Sequence, residues 1–245
     1  MRPFARTPLL AATLMLAACS RAPAPVAPAP APAATAAPAP AATAAPAATA
    51  APAATVIAPA GEDWELPGTL GPLTTRAELE ARFGKTNVRE ETLPGAEGAS
   101  APALVVFADD PSRRLELVLD GDDKEAPIQV LRVSGANSRW HDGNGLHPGM
   151  SLAELVNRNG APISFYGLGW DYGGSVQDWH GGRLANAVGA PLFRAVTLVA
   201  RAGTPATAGL PQGDRVFRSD DRSHPAIEQA LVIGDLSISW PGDAE

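Results

Sequence analysis

The feature that most limits how this chain folds is the stretch 21–60, which consists almost entirely of Ala, Pro and Thr. Such a segment buries too little surface to offset the entropy of ordering the chain, so we expect disorder there. Frequent proline favours extended polyproline II, at about 3.1 Å per residue. The tract is predicted to be a spacer, and a cell-wall-crossing or O-glycosylated stalk is the second interpretation. Folding is therefore confined to 61–241.

The first eighteen residues have the pattern of a secretory signal. Arg2 and Arg6 precede an apolar run at 9–18 that ends in two alanines. The run has about ten residues, well short of the roughly twenty that span a bilayer. We therefore predict an export signal at 1–18, which is not kept as a transmembrane helix.

The signal ends in Leu-Ala-Ala-Cys at 16–19, which contains the only cysteine of the chain. This motif resembles the lipobox of bacterial lipoproteins; the other interpretation is an ordinary signal with a chance cysteine. The resemblance implies that Cys19 becomes the acylated N-terminus of the mature protein. Ser20 replaces the Asp that retains such proteins at the inner membrane, which favours the outer membrane, with the folded part facing the periplasm. A lipidated Cys19 also leaves no thiol for a disulfide.

The charge of the chain argues against nucleic acid as a partner. Without Arg2 and Arg6 the sequence has 17 basic and 26 acidic residues, a net charge of about −9. Phosphate-backbone binding requires clustered Lys and Arg. The same charge makes an anionic membrane surface a poor partner for the folded part, so contact with the membrane is predicted only through the lipid on Cys19.

An internal similarity relates residues 70–84 to residues 146–160, at an offset of 76. Thr75 and Ser151 are expected to cap two short helices, each followed three residues later by a Glu that completes a capping box. Glycines then end both helices. Seven of the fifteen positions are identical: Leu70/Leu146, Pro72/Pro148, Ala77/Ala153, Glu78/Glu154, Leu79/Leu155, Arg82/Arg158 and Gly84/Gly160. The interpretation is a duplication, and two capped helices alike by chance are the alternative.

Strand patterns follow both helices, bounded by turn residues. The pattern predicts an α+β fold of two related halves, 61–143 and 144–241, each a short helix packed on an antiparallel meander. The predicted strands are 87–92, 103–107, 114–119, 128–133, 163–166, 175–179, 193–200 and 231–240. Residues 203–222 are predicted to form a long loop.

The second helix suggests a family. His-Pro-Gly-Met-Ser-Leu-Ala-Glu-Leu at 147–155, followed by Gly-Ala-Pro at 160–162, resembles the signature of SmpA/BamE-like lipoproteins and of β-lactamase-inhibitor-like repeats. The resemblance implies helices packed on a small antiparallel sheet, and proteins that bind other proteins rather than catalyse. Asn159 departs from it, since an apolar residue is usual at that position.

The segment 167–174, Gly-Leu-Gly-Trp-Asp-Tyr-Gly-Gly, is the candidate binding site. One interpretation is a tight hairpin turn that packs its aromatics on the sheet. The other is a partner-binding loop, with Trp170, Asp171 and Tyr172 as interface anchors. Both remain open from the sequence.

No residue pattern predicts catalysis, a metal or a cofactor. Neither Ser175 nor Ser223 lies in a Gly-x-Ser-x-Gly motif, and the histidines lack zinc-ligand spacing. We therefore predict an envelope protein with a non-catalytic binding or structural role, and an envelope protein as partner. The alternative is a periplasmic hydrolase or carbohydrate-binding protein that uses Asp171, Asp178 and His180.

Overall fold

The computed structural model describes residues 63–121, 123, 125–205 and 209–240. The predicted signal, Cys19 and the Ala/Pro/Thr tract lie outside the described residues. All described residues belong to one unit of the chain, 56–245. In this described part, no helix has the length and apolar character needed to cross a bilayer.

Strands account for most of the regular structure, and three sheets form. In chain order the strands are β1 (Glu65–Leu66), β2 (Val88–Pro94), β3 (Ser100–Val106), β4 (Leu115–Leu119), β5 (Ile128–Ser134), β6 (His141–Asp142), β7 (Ser164–Tyr166), β8 (Val176–Asp178), β9 (Phe193–Ala200), β10 (Val216–Arg218) and β11 (Leu231–Ser239). The helices are α1 (Arg76–Phe83), α2 (Leu152–Asn159) and α3 (Ile227–Ala230). The predicted α+β class is confirmed.

The largest sheet has the order β2-β3-β4-β5-β11-β9, with every neighbouring pair antiparallel. A three-stranded antiparallel sheet has the order β10-β7-β8, and β1 pairs with β6 in parallel. All eight predicted strands are present, with ends that differ by a few residues. The prediction of one long loop over 203–222 is wrong at β10, because the pairing of β10 with β7 is long-range and leaves no local pattern.

Both predicted helices begin at their predicted caps. Thr75 Oγ1 accepts a hydrogen bond from the Glu78 backbone N–H (3.3 Å), and Glu78 accepts in return from the Thr75 backbone N–H (2.8 Å), which completes a capping box. Ser151 accepts from the Glu154 N–H at 3.2 Å. The carboxylate of Glu154 does not complete that second box and pairs with Arg158 at 2.9 Å instead.

An aromatic cluster fills the core beside α1. Trp64, Phe83, Phe107 and Trp140 contact one another with ring centroids 4.9 to 6.5 Å apart. Trp140 is 1 % exposed, and its indole N–H donates to the Arg113 carbonyl at 2.7 Å. The cluster therefore joins α1 to the segments that flank β4 and β6, and the buried indole N–H of Trp140 has a partner.

Strand β4 has an apolar face towards the core and a charged residue on its opposite face. Its core-facing side chains are Leu115, Leu117 and Leu119. Glu116 lies on the opposite face and is still only 8 % exposed. Its carboxylate accepts from Arg114 (3.1 Å) and from Arg132 (2.6 Å). Two guanidinium groups thus compensate the cost of removing this charge from water.

We expect Asp110 to make the fold sensitive to acid. Hydrogen bonds from Ser112 and Arg113 lower the pKa of Asp110 to about 2. Because this pKa lies below the ordinary value, the contribution of Asp110 to stability is complete above about pH 4 and is lost as the pH falls towards 2. Asp110→Asn should therefore destabilise the protein at pH 5 and make little difference at pH 2. Urea unfolding at pH 5, 3 and 2 measures this, and a pH-independent difference would contradict it.

Candidate functional site

The three-stranded sheet turns one face to the core and the other outward. Phe165 and Phe217 belong to the core. Because side chains alternate along a strand, the neighbours of these two residues point the other way. Arg218 of β10, Ser164 of β7 and Asp178 of β8 lie directly opposite one another in the register. We call this outward surface the β7 face.

The β7 face brings a serine, a histidine and an aspartate together. Ser164 Oγ lies 2.7 Å from His180 Nε2, and His180 Nδ1 lies 3.5 Å from Asp178 Oδ2. His180 follows β8 closely enough for its ring to fold back over the strand pair. Ser164 is 6 % exposed, since the side chains around it cover it.

Arg218 fixes the tautomer of the imidazole. Its Nη1 lies 3.2 Å from His180 Nε2. A guanidinium can only donate hydrogen bonds, so Nε2 must be the unprotonated, accepting nitrogen. The ring proton of neutral His180 is then on Nδ1, on the side of Asp178. Because Nε2 has a single lone pair, it accepts the Ser164 hydroxyl proton only when it does not accept from Arg218.

The backbone at His180 is held in an unusual conformation. His180 has φ +50°, which is uncommon for a residue with a side chain. Two contacts impose it: the His180 N–H donates to Asp178 Oδ1 at 2.6 Å, and the preceding carbonyl, that of Trp179, accepts from Asn159 Nδ2 at 2.9 Å. Backbone strain of this kind is found at functional sites.

The predicted loop carries a ladder of aromatic rings on the same face. Tyr166 lies two residues after Ser164 on β7 and so shares its side of the strand. Trp170 contacts Tyr166 at 5.2 Å and Tyr172 at 5.3 Å between ring centroids, both edge to face. Trp170 is half-buried, and Tyr172 is 44 % exposed. We call Tyr166, Trp170 and Tyr172 the aromatic ladder.

Four backbone hydrogen bonds of ordinary length hold this loop in place. The bonds are Gly167 N–H to Arg215 O (2.9 Å), Gly173 N–H to Trp170 O (2.9 Å), Gly174 N–H to Tyr166 O (3.0 Å) and Leu198 N–H to Gly174 O (2.9 Å). The Trp170 indole N–H also donates to the Gly167 carbonyl at 2.9 Å. At Gly167 a Cβ would lie 2.6 Å from the Gly213 carbonyl oxygen, so only glycine fits there.

Asp171 joins the loop to a distant part of the sheet. Its Oδ2 accepts from the Glu97 N–H at 2.7 Å, in the turn between β2 and β3. Strands β2 and β9 are the two edges of the six-stranded sheet, and a flat sheet would keep them about 24 Å apart. Because the loop is bonded to β9, this contact indicates that the sheet curves until elements from its two edges meet.

The residues proposed for the alternative enzyme are thus only partly brought together. Asp178 and His180 contact each other, while Asp171 contacts Glu97. The sequence did not single out Ser164 or Arg218, because their alignment depends on two long-range strand pairings. Of the serines it did consider, Ser223 donates to Asp221 at 2.7 Å. No group of three or more His, Cys, Asp or Glu suited to a metal occurs among the described residues.

No family model matches the chain, and neither a curated protein nor a solved structure is similar to it at a significant level. The resemblance to SmpA/BamE-like lipoproteins therefore stays a prediction that rests on the helix motif. The function of the chain is accordingly inferred from its own residues and their geometry.

Asn159 is expected to be the residue on which the position of His180 depends. It is fully buried, donates to the Ala161 and Trp179 carbonyls, and accepts from the Leu184 N–H at 3.1 Å. Asn159→Ala leaves the buried Leu184 N–H without its partner and takes one donor from the Ala161 and Trp179 carbonyls, which should cost about 2 kcal/mol; the Trp179 carbonyl keeps the Gly182 N–H. The exposed Asn157→Ala on the same helix is the control and should change stability by less than about 0.5 kcal/mol. Urea unfolding measures both, and equal effects would refute this role for Asn159.

Proposed function

We propose that this protein is a lipid-anchored envelope protein that binds another molecule through the aromatic ladder. The observation that carries the proposal is the exposed Tyr172 at the end of three packed rings on a hydrogen-bonded loop. Aromatic side chains on rigid backbone lose little entropy on binding and dominate interface energies. A tight turn alone would not require an exposed tyrosine packed edge to face on a tryptophan.

The proposed location follows from the N-terminal sequence. Arg2 and Arg6, the short apolar run and Cys19 together form a lipoprotein export signal. Acyl chains on Cys19 would then hold the protein at the membrane, since each buried methylene contributes about 0.8 kcal/mol. Ser20 favours the outer membrane, and the Ala/Pro/Thr tract would space the folded part from the lipid.

We also propose that the fold consists of two related halves. Counted outward from the central pair, the sheet order is β5, β4, β3, β2 on one side. On the other side it is β11 and β9, after which the isolated bridge between Ser175 and Thr197 leads to β8 and then β7. Apart from β10, which pairs with the far side of β7, each series runs backwards along the chain towards the helix that begins its half. This mirrored order is what two fused copies of one meander would produce.

The segments that precede α1 and α2 also support the relation between the two halves. The Ile128 N–H at the start of β5 donates to the Pro72 carbonyl at 2.8 Å. The Ile233 N–H near the start of β11 donates to the Met150 carbonyl, also at 2.8 Å. Each half thus ties the segment before its helix to its own last strand. In this arrangement the β2–β3 and β7–β8 turns are equivalent, and they are the turns that meet at Asp171.

We expect partner binding to be lost when the ladder is truncated. Cys19→Ser protein, which lacks the anchor, serves as bait in an envelope extract. Adding Trp170→Ala and Tyr172→Ala should reduce the captured partner at least tenfold, because two aromatic anchors are worth more than about 1.4 kcal/mol. Leu73→Ala, an exposed apolar residue in the turn before α1, is the control and should capture as before. Unchanged capture by the double variant would rule out this loop as the binding site.

Lipidation of Cys19 is tested separately, by the fraction in which the protein is found. Cys19→Ser should move the protein from the sedimenting envelope fraction to the soluble fraction, because the acyl chains have no attachment point. Ser20→Ala should remain with the outer membrane, and Ser20→Asp should shift towards the inner membrane. Fractionation on a density gradient with immunodetection measures all three. A Cys19→Ser protein that still sediments with envelopes would disprove the anchor.

A further inference from the structure

We propose that Ser164 is an activated nucleophile, and that the β7 face hydrolyses carboxylic esters that carry a ring. This activity goes beyond the proposed binding role and does not depend on the lipid anchor. The proposal rests on the contact between Ser164 Oγ and His180 Nε2 at 2.7 Å and on the aromatic ladder that begins two residues away on β7.

The three groups occupy the roles that acyl transfer requires. Ser164 is within hydrogen-bond reach of a base, and the contact with Arg218 requires Nε2 to be the accepting nitrogen. Asp178 Oδ2 lies 3.5 Å from the other ring nitrogen, longer than an ordinary hydrogen bond, and its negative charge favours the N–H on that side of the ring. Nucleophile, base and orienting carboxylate in this order are recognised by their geometry, whatever the fold that carries them.

The reaction balances with water as the only co-reactant. Ser164 Oγ forms a bond to the carbonyl carbon while its proton passes to His180 Nε2. The ester C–O bond breaks, and the leaving alcohol takes that proton. Water then attacks the acyl-serine, gives its proton to Nε2, and the acid leaves as Ser164 Oγ takes the proton back. No electron is transferred in either step.

Arg218 covers Ser164 and places a positive charge beside it. The cross-strand position of Arg218 puts its side chain beside Ser164, and that side chain is 46 % exposed. Its ion pair with Asp220 lies at the surface, where such pairs hold side chains weakly. A shift of the guanidinium away from Nε2 would uncover Ser164 and leave a positive group beside the oxyanion of the tetrahedral intermediate. Positive donors in that place are what stabilise acyl-transfer transition states.

The aromatic ladder indicates the substrate class. Tyr166 lies on the same side of β7 as Ser164, and Val216 of β10 is opposite Tyr166 and 55 % exposed. An ester whose acyl carbon lies over Ser164 would therefore place its adjoining group on an apolar, aromatic surface. The C–H face of a sugar ring, or the plane of an aromatic alcohol, packs on such a surface. The hydrolysis experiment below distinguishes these two sources.

Covalent labelling tests the nucleophile directly. The full chain is incubated with an alkyl fluorophosphonate, and the modified peptide is identified by mass spectrometry. We expect modification at Ser164 in the wild type and in the control Ser223→Ala, and none in Ser164→Ala. His180→Asn keeps a residue that tolerates positive φ but removes the base, so labelling should slow at least tenfold. Absence of label in folded wild type, or equal labelling of His180→Asn, overturns the proposal.

The role of Asp178 in orienting His180 is tested separately. Asp178→Asn should slow labelling at least tenfold, and Asp178→Glu should recover most of the rate because it restores a carboxylate. A residue needed only for folding would not show this recovery at equal thermal stability. Equal rates for Asp178→Asn and wild type would remove Asp178 from the site.

Steady-state hydrolysis tests the substrate class. The full chain should hydrolyse 4-methylumbelliferyl acetate or an O-acetylated hexose, and Ser164→Ala should lose this activity. The substrate with the higher kcat/KM identifies the ring. Trp170→Ala should raise KM for it several-fold, and the control Leu73→Ala should leave KM unchanged. An unchanged KM in Trp170→Ala refutes the ring-binding role, and turnover of neither ester refutes the activity. Because Ser164→Ala keeps the ladder, it should still capture the envelope partner, so the two proposals fail separately.

Discussion

The pairing of β11 with both β5 and β9 is the interaction on which the rest of the structure depends. The last described strand, β11, lies inside the sheet, between a strand from the first part and one from the second. Its Ile233 also bonds to the segment that leads into α2. A strand that is last in sequence and internal in space joins contacts of high sequence separation, so the fold closes only when the whole domain is present.

The site inherits its rigidity from that pairing. Because β11 fixes β9, the bond from Leu198 to Gly174 holds the aromatic loop against the sheet. Asn159 then fixes Trp179 from the other side, through a buried amide with three partners. His180 is thus placed by contacts from α2 and from β8 at once. Such double support is what keeps a strained backbone conformation in a folded protein.

Local chemistry predicted the local elements well. Thr75 and Ser151 begin their helices, and Leu115 to Leu119 alternate between faces, because caps and strand periodicity depend on neighbouring residues. The aromatic loop was identified for the same reason, since its glycines and rings are adjacent in sequence. The position of β10 was missed, and so was the parallel pairing of β1 with β6. Both depend on partners far along the chain, which a single sequence does not reveal.

The same limit explains why the sequence did not predict Ser164 as a site residue. Nothing around it in the sequence marks a nucleophile, and its neighbours Asp178 and Arg218 become neighbours only through the register of two strand pairs. A shift of one residue in either pairing would turn its partner to the core side. The bulge between Ser164 and Phe165 in the β7–β8 pairing sets this register. Bulges often lie beside functional side chains, because one extra residue re-aims the strand. The alignment of Ser164 with its partners is therefore a property of sheet geometry, and the ladder shares its face because Tyr166 is the next outward residue of the same strand.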